Sequence, residues 1–284
     1  MKTDKGTKRA RGRQFATVAA ATVLASAAVG TLAVTANGAS RPVAEGRHAR
    51  PTIVLEHGAF ADGSSWNGVI QTLQADGYSV VAAANALRGP HSDAAALRSV
   101  LDDIKGPKVL VGHSYGGSVI SEAAADDPQV KALVYVAAFL PAPGENALGL
   151  TNKYLGSTLP DALDPVPCTN ADGTTGTDLY IKQDKFRHQF AADVPANQAA
   201  LMAAAQRPIS QAALEEKVTV AAWKDRPAWD IVTTQDLNIP VAVQRFMARR
   251  AHAHTLEVAA SHSVAVSHPR LVADVIEKAA RATR

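Results

Sequence analysis

The sequence predicts an α/β fold built on a mostly parallel, doubly wound sheet, with a helical insertion over the sheet's carboxyl edge. Three observations predict it. Apolar runs at 52–57, 78–84, 108–111 and 130–139 alternate with helix-length segments, and near-continuous apolar strands are those buried on both faces of a parallel sheet. The stretch from Leu140 to about Arg226 lacks runs of that quality and is punctuated by Pro141, Pro143, Gly144, Pro160, Pro165 and Pro167. Strand and helix patterns then return from Asp230 onward. A chain of 284 residues with 47% apolar content suffices for one large core.

The first 36 residues read differently from the rest. Six basic side chains between Lys2 and Arg13 face a single acid, Asp4, and precede an uncharged stretch rich in Ala, Val and Thr. Val34-Thr35-Ala36 supplies the small residues of a cleavage site, so residues 1–36 are expected to be a signal peptide and the protein secreted. A retained membrane anchor is the second reading; after cleavage no stable membrane association is expected. Residues 37–50 read as a polar linker and residues 51–284 as the folded domain. With the basic leader set aside, the net charge of +3 becomes slightly negative, which excludes a nucleic-acid footprint. Cys168 stands alone, so no internal disulfide forms, and it reads as a loop spectator. His252-Ala253-His254 is the one close pair of metal-ligand type, with no carboxylate or cysteine spacing to complete a site. Neither metal nor cofactor is expected.

Each element has a local justification. Thr52–His57 is the first strand; Ser65 is placed to cap a helix running to Asp76, and Gly77 ends it. Tyr78–Ala84 is the second strand, followed by a helix over Ala94–Ile104 capped by Ser92 or Asp93. Val109–Val111 is the third strand, Val130–Phe139 the fourth. Within the insertion, helices are expected at Asp178–Ala192, Pro195–Gln206 and near Ser210–Val220. Asp230–Asp236 resumes the sheet, Pro240 starts a helix to about Arg250, His254–Ala260 is the last strand, and Pro269 opens a terminal amphipathic helix to Arg281.

The chemistry centres on Gly112-His113-Ser114-Tyr115-Gly116, set between an apolar strand and an Ala-rich helix. Strand, G-x-S-x-G and helix in that order form a nucleophile elbow, which lifts Ser114 Oγ clear of the sheet. A serine hydroxyl needs a base, and the base an orienting acid. Catalytic groups of an open α/β sheet gather beyond the carboxyl ends of its strands. Of nine histidines, His262 directly follows the last strand and is the candidate base. His252 and His254 flank a strand's amino end, His268 is expected to face solvent, and His113 to point away on the elbow. Asp236 ends the strand after the insertion and is the candidate acid, whereas Asp230 opens that strand at the wrong edge. The order Ser114, Asp236, His262 is the one this architecture uses. The amides of Tyr115 and Ala59 are the candidate oxyanion hole, with His57 supporting the Ala59 loop. Phe60 and Trp66 are candidate substrate-lining residues.

These pieces together resemble the α/β-hydrolase superfamily, in its esterase and hydroxynitrile-lyase-like group that includes plant methyl-ester esterases. The resemblance rests on His57-Gly58-Ala59 with Trp66, the Gly112–Gly117 elbow, Thr233–Asp236 followed by Gln244-Arg245-Phe246, and Ser261-His262 with His268-Pro269. It covers residues 52–282; the insertion corresponds in position and length. It implies a cofactor-free serine hydrolase of small carboxylic esters that passes through an acyl-enzyme. Lyases of the group use a lysine near the acid, where this chain has Leu237-Asn238-Ile239-Pro240. The same triad also serves cofactor-free perhydrolases and haloperoxidases, and the fold also occurs in non-catalytic ligand-binding proteins.

Overall fold

A computed structural model describes residues 50–283. The signal peptide and nearly all of the linker expected from the sequence lie outside the described residues. Nine strands are found among the described residues: β1 (Thr52–Glu56), β2 (Val80–Ala83), β3 (Lys108–His113), β4 (Val130–Val136), β5 (Leu163–Thr169), β6 (Thr175–Ile181), β7 (Ile209–Ser210), β8 (Ala228–Thr233) and β9 (His254–Val258). The helices are α1 (Asn67–Ala75), α2 (Pro90–Asp103), α3 (Gly116–Ala123), α4 (Ala147–Thr151), α5 (Leu159–Ala162), α6 (Gln183–Phe190), α7 (Ala196–Ala205), α8 (Gln211–Glu215), α9 (Val241–Arg250), α10 (Val264–Ser267) and α11 (Pro269–Ala282).

Six strands form the main sheet in the order β2-β1-β3-β4-β8-β9, parallel throughout. Their side chains alternate between two cores. Val54, Leu110 and Leu133 face a layer that includes α2, α3, α9 and parts of the insertion. Ile53, Leu55, Val109 and Val111 face the layer of α1 and α11. This two-sided burial is why these strands carry almost no polar alternation.

The chain winds outward from β1 to β2, then returns to place β3 on the other side of β1. That reversal opens a crevice beyond the carboxyl ends of β1 and β3, the position where ligands bind in open α/β sheets. Both the Ala59 loop and the Ser114 turn leave the sheet there.

The insertion between β4 and β8 is a lid of mixed structure. Helices α6 and α7 fall near expected positions, but a small antiparallel sheet, β5-β6-β7, joins them. Thr175–Ile181 is strand where the sequence suggested helix from Asp178, and the helix starts only at Gln183. β5 is largely exposed and contains Pro165 and Pro167, which an edge strand tolerates because one side of its ladder is free. Cys168 lies on this strand rather than in a loop. Two caps also differ: Asp62, not Ser65, accepts the Ser64 amide at the start of the short helix before α1, and Asp93 lies inside the first turn of α2, which Pro90 opens.

Candidate active site

Ser114 sits at the tip of the β3–α3 turn with φ of +55°, the left-handed conformation that serine ordinarily avoids. Neighbouring glycines make the turn possible. A Cβ on Gly112 would lie 2.7 Å from the Gly116 carbonyl oxygen, and one on Gly116 2.6 Å from the Glu56 carbonyl oxygen. The turn is tied to the sheet by Ser114 N–H donating to Val136 O at 3.3 Å and Phe139 N–H donating to Ser114 O at 3.1 Å. These bonds hold a strained residue in place, the usual condition for such strain to persist.

Asp236 and His262 meet. His262 Nδ1 lies 2.7 Å from Asp236 Oδ2, and both side chains are almost fully buried. An ionised carboxylate only accepts, so Nδ1–H is the donor in this bond. The carboxylate is itself held on every side. Oδ1 accepts the amides of Asn238 (2.7 Å) and Ile239 (3.0 Å); Oδ2 also accepts Thr233 Oγ1 and Gln244 Nε2, each at 3.0 Å. Asp230, by contrast, lies in mid-strand rather than at its opening, buried and with neither oxygen partnered among the described residues. Burial drives its pKa well up.

Ser114 and His262 line one narrow cavity of about 70 Å³. Its walls are apolar, with Phe139, Leu148, Leu159, Leu163, Leu214 and Ile239 among them. Among the described residues Ser114 Oγ has no hydrogen-bonded partner; such contacts commonly tighten only when substrate binds.

Ala59 and Tyr115 also line this cavity. Neither backbone N–H is taken by an acceptor among the described residues, whereas the next amide, Phe60 N–H, donates to Arg207 O at 3.0 Å. Each candidate amide is braced from behind. Tyr115 Oη donates to Asp93 Oδ2 at 2.8 Å. His57 Nδ1–H donates to Gly58 O at 2.9 Å, its Nε2 accepts Asn85 N–H at 3.1 Å, and Asn85 Nδ2 donates to His57 O at 2.8 Å. Burial above all holds the His57 pKa down, which keeps this ring neutral. Glu56 behind the same loop is pushed up to about 8, first by burial and then by the charge of Asp93.

Two supports escaped the sequence reading. His113 does not simply point away: its Nε2–H donates to the His262 carbonyl at 2.9 Å, and the two rings lie 4.8 Å apart. Burial, then the neighbouring His262, lowers its pKa to about 3, so it is a neutral donor at physiological pH. Asp193, just after α6 in the lid, grips the His262 loop on both sides. It accepts Ser261 N–H at 3.1 Å, the Ser261 hydroxyl, and the Ser267 hydroxyl at 2.9 Å. Lid residue Phe190 adds a ring 4.9 Å from His262. His268 is half-exposed and lies 3.8 Å from Asp193.

Phe60 lines the cavity as expected, but Trp66 does not. It is fully buried in the opposite layer, packing edge-on against His113 at 6.2 Å. The 3₁₀ turn at Gly63–Trp66 directs the indole under the sheet rather than over its edge. No cluster of three metal-ligating side chains occurs among the described residues, and none of their helices is long and apolar enough to cross a membrane.

A parallel sheet with this strand order, a serine on a strained strand–turn–helix and an acid–imidazole pair on the following strand ends define a hydrolase-type α/β protein. The chain belongs to the alpha/beta hydrolase family, whose model matches residues 53–275. It is similar to a pyrethroid hydrolase of Sphingobium wenxiniae, with 29% identity over 79% of this chain and 85% of that protein. It is also similar to Esterase PIR7B of Oryza sativa subsp. japonica, with 26% identity over 80% of this chain and 94% of the relative. Among solved structures, polyneuridine aldehyde esterase superposes with a TM-score of 0.71 at 18% identity, covering 81% of this chain and 99% of that one; this likeness concerns the fold.

Proposed function

We propose that this carboxylic ester hydrolase works through Ser114, His262 and Asp236 and an acyl-enzyme intermediate. The observation that carries the reading is the buried 2.7 Å Asp236–His262 hydrogen bond, made by a histidine that lines the same cavity as Ser114. His262 Nε2 takes the Ser114 proton as Oγ attacks the ester carbonyl. The Ala59 and Tyr115 amides receive the developing oxyanion, a contribution typically of about 3–4 kcal/mol per donor. His262 then returns the proton to the departing alcohol. Water, deprotonated by the same nitrogen, releases the acid and restores the serine.

Relatives bearing the names pyrethroid hydrolase, carbendazim hydrolyzing esterase and esterase support small-molecule esters as substrates. The apolar walls of the cavity favour an uncharged acyl group. Residues 1–36 complete the proposal as an export signal, checked by the amino-terminal sequence of secreted material. The enzymatic test is a burst of p-nitrophenol from p-nitrophenyl butyrate, stoichiometric with protein and abolished in Ser114→Ala. Wild-type turnover by that variant contradicts the mechanism.

A further inference from the structure

The wall of the cavity that holds Ser114 and His262 carries a hydrogen-bond donor without an acceptor among the described residues. Asn238 lines this cavity and is only 3% exposed, and its Nδ2 is buried and unpartnered. The other buried side-chain atoms in that condition belong to Glu56, Trp66, Asp230 and Arg250, none of which lines the cavity. Buried N–H groups are nearly always satisfied, and one left without an acceptor is costly.

The orientation of this amide follows from its neighbours. The Leu237 carbonyl oxygen can only accept, so the Gln189 atom 2.8 Å from it is the nitrogen, Nε2. The same nitrogen lies 2.9 Å from the Asn238 amide, and the atom it meets there must be the oxygen, Oδ1. Nδ2 is therefore the uncommitted branch. Thr158 Oγ1 donates to Gln189 Oε1 at 2.8 Å, and Asn238 N–H donates to Asp236 Oδ1 at 2.7 Å. Lid helix α6, which carries Gln189, and Asp236 thus hold Asn238 in place from two sides. The remaining polar side chains of the cavity are engaged or open to solvent. Tyr115 Oη donates to Asp93, Thr151 Oγ1 donates to Ala147 O at 2.9 Å, and Asn152 is exposed.

We infer that Asn238 Nδ2 binds a neutral acceptor oxygen of the substrate, a carbonyl or ether oxygen set apart from the scissile ester. Esters that carry such an oxygen are then preferred to alkyl esters of the same shape. This inference rests on the ester-hydrolase reading. An uncharged amide among aliphatic walls cannot offset the desolvation of an anion, so the acceptor is neutral. The substrate completes the hydrogen bond that the folded chain leaves open. An analogue with a methyl group in place of the oxygen leaves the donor buried and unpaired.

The test compares two ratios of kcat/KM. Ethyl 4-oxopentanoate over ethyl 4-methylpentanoate places the acceptor in the acid; 2-oxopropyl butyrate over isobutyl butyrate places it in the alcohol. Each pair exchanges a methyl branch for a carbonyl oxygen at nearly constant shape. Comparing each ratio between wild type and variant cancels the intrinsic reactivity of the esters. Asn238→Leu should lower at least one ratio about tenfold, and the ratio that falls tells which half of the ester carries the oxygen. Asn238→Ala adds no bulk, should lower the same ratio, and covers the case in which Asn238→Leu does not fold. Both ratios within about twofold of wild type, even where all four esters react more slowly, overturn the inference and leave Asn238 a support of the Asp236 loop alone. Retained hydrolysis in Ser114→Ala instead overturns the reading beneath it.

Discussion

A methyl group on Gly58 would lie 2.6 Å from Ser114 Cβ and 3.2 Å from its Oγ. The backbone of the loop after β1 therefore presses directly on Ser114. This contact sets how far the Ala59 amide stands from the reacting carbonyl, because Ala59 is the next residue. Gly58→Ala must push the loop and the elbow apart, since the same Cβ would also lie 2.8 Å from the backbone oxygen of His113. Displacing catalytic groups by about 1 Å can cost about a hundredfold. The expected result is a loss of kcat/KM of that order, with circular dichroism close to wild type. Full activity in Gly58→Ala would show that the loop does not position the oxyanion donors.

Asp193 holds the loop that carries His262, and under the proposed mechanism it positions the base. It accepts bonds from Ser261 and Ser267 on either side of His262 without lining the cavity itself. Asp193→Ala should lower kcat roughly tenfold or more with KM little changed, because it loosens a transition-state contact rather than a binding wall. Labelling of Ser114 by a fluorophosphonate should slow in parallel. A rise in KM alone would assign Asp193 to the lid's substrate contacts. Partial burial alone would raise the Asp193 pKa, but the hydrogen bonds from Ser261 and Ser267 outweigh it and hold the pKa below its usual value. The carboxylate's support is thus fully present above the unfolded pKa of about 4 and is lost as pH falls through the lower folded value.

Asp230 carries the opposite sign. Burial raises its folded pKa, so the unfolded state gives up this proton first as pH rises. The native state loses stability from about pH 4 upward until the folded pKa is reached. Asp230→Val removes both the unpartnered oxygens and the titration. It should raise stability by about 1–3 kcal/mol near neutrality, with a smaller gain at pH 4. Thermal melts of both proteins across that range check it; a gain independent of pH would mean that packing alone is responsible.

The placement of the candidate site was legible because each piece sits near a strand end flagged by local chemistry. Glycines bracket Ser114, while Asp236 and His262 each follow an apolar strand by a few residues. The fold was legible for the same reason: strands buried on both faces announce themselves by continuous Val, Ile, Leu and Ala. The lid hairpin was not, since β5 is largely exposed and β6 buries only Leu179 and Ile181, too short a pattern to mark a strand, while Pro165 and Pro167 argue against one. Trp66 was misplaced because an aromatic after a Gly-rich loop reads equally as pocket wall or core, and only the turn at Gly63–Trp66 decides. Asp193 and His113 escaped because their partners lie far away in the chain: Asp193 meets Ser261, and His113 meets the carbonyl of His262.

The most direct measurement is the mass of the intact protein, with peptide mapping, after exposure to a fluorophosphonate. One adduct per chain should appear on Ser114, and its rate should fall by at least about a hundredfold in His262→Ala, the range typical of losing a general base. An adduct on another residue, no adduct on active protein, or labelling indifferent to His262 would contradict the account.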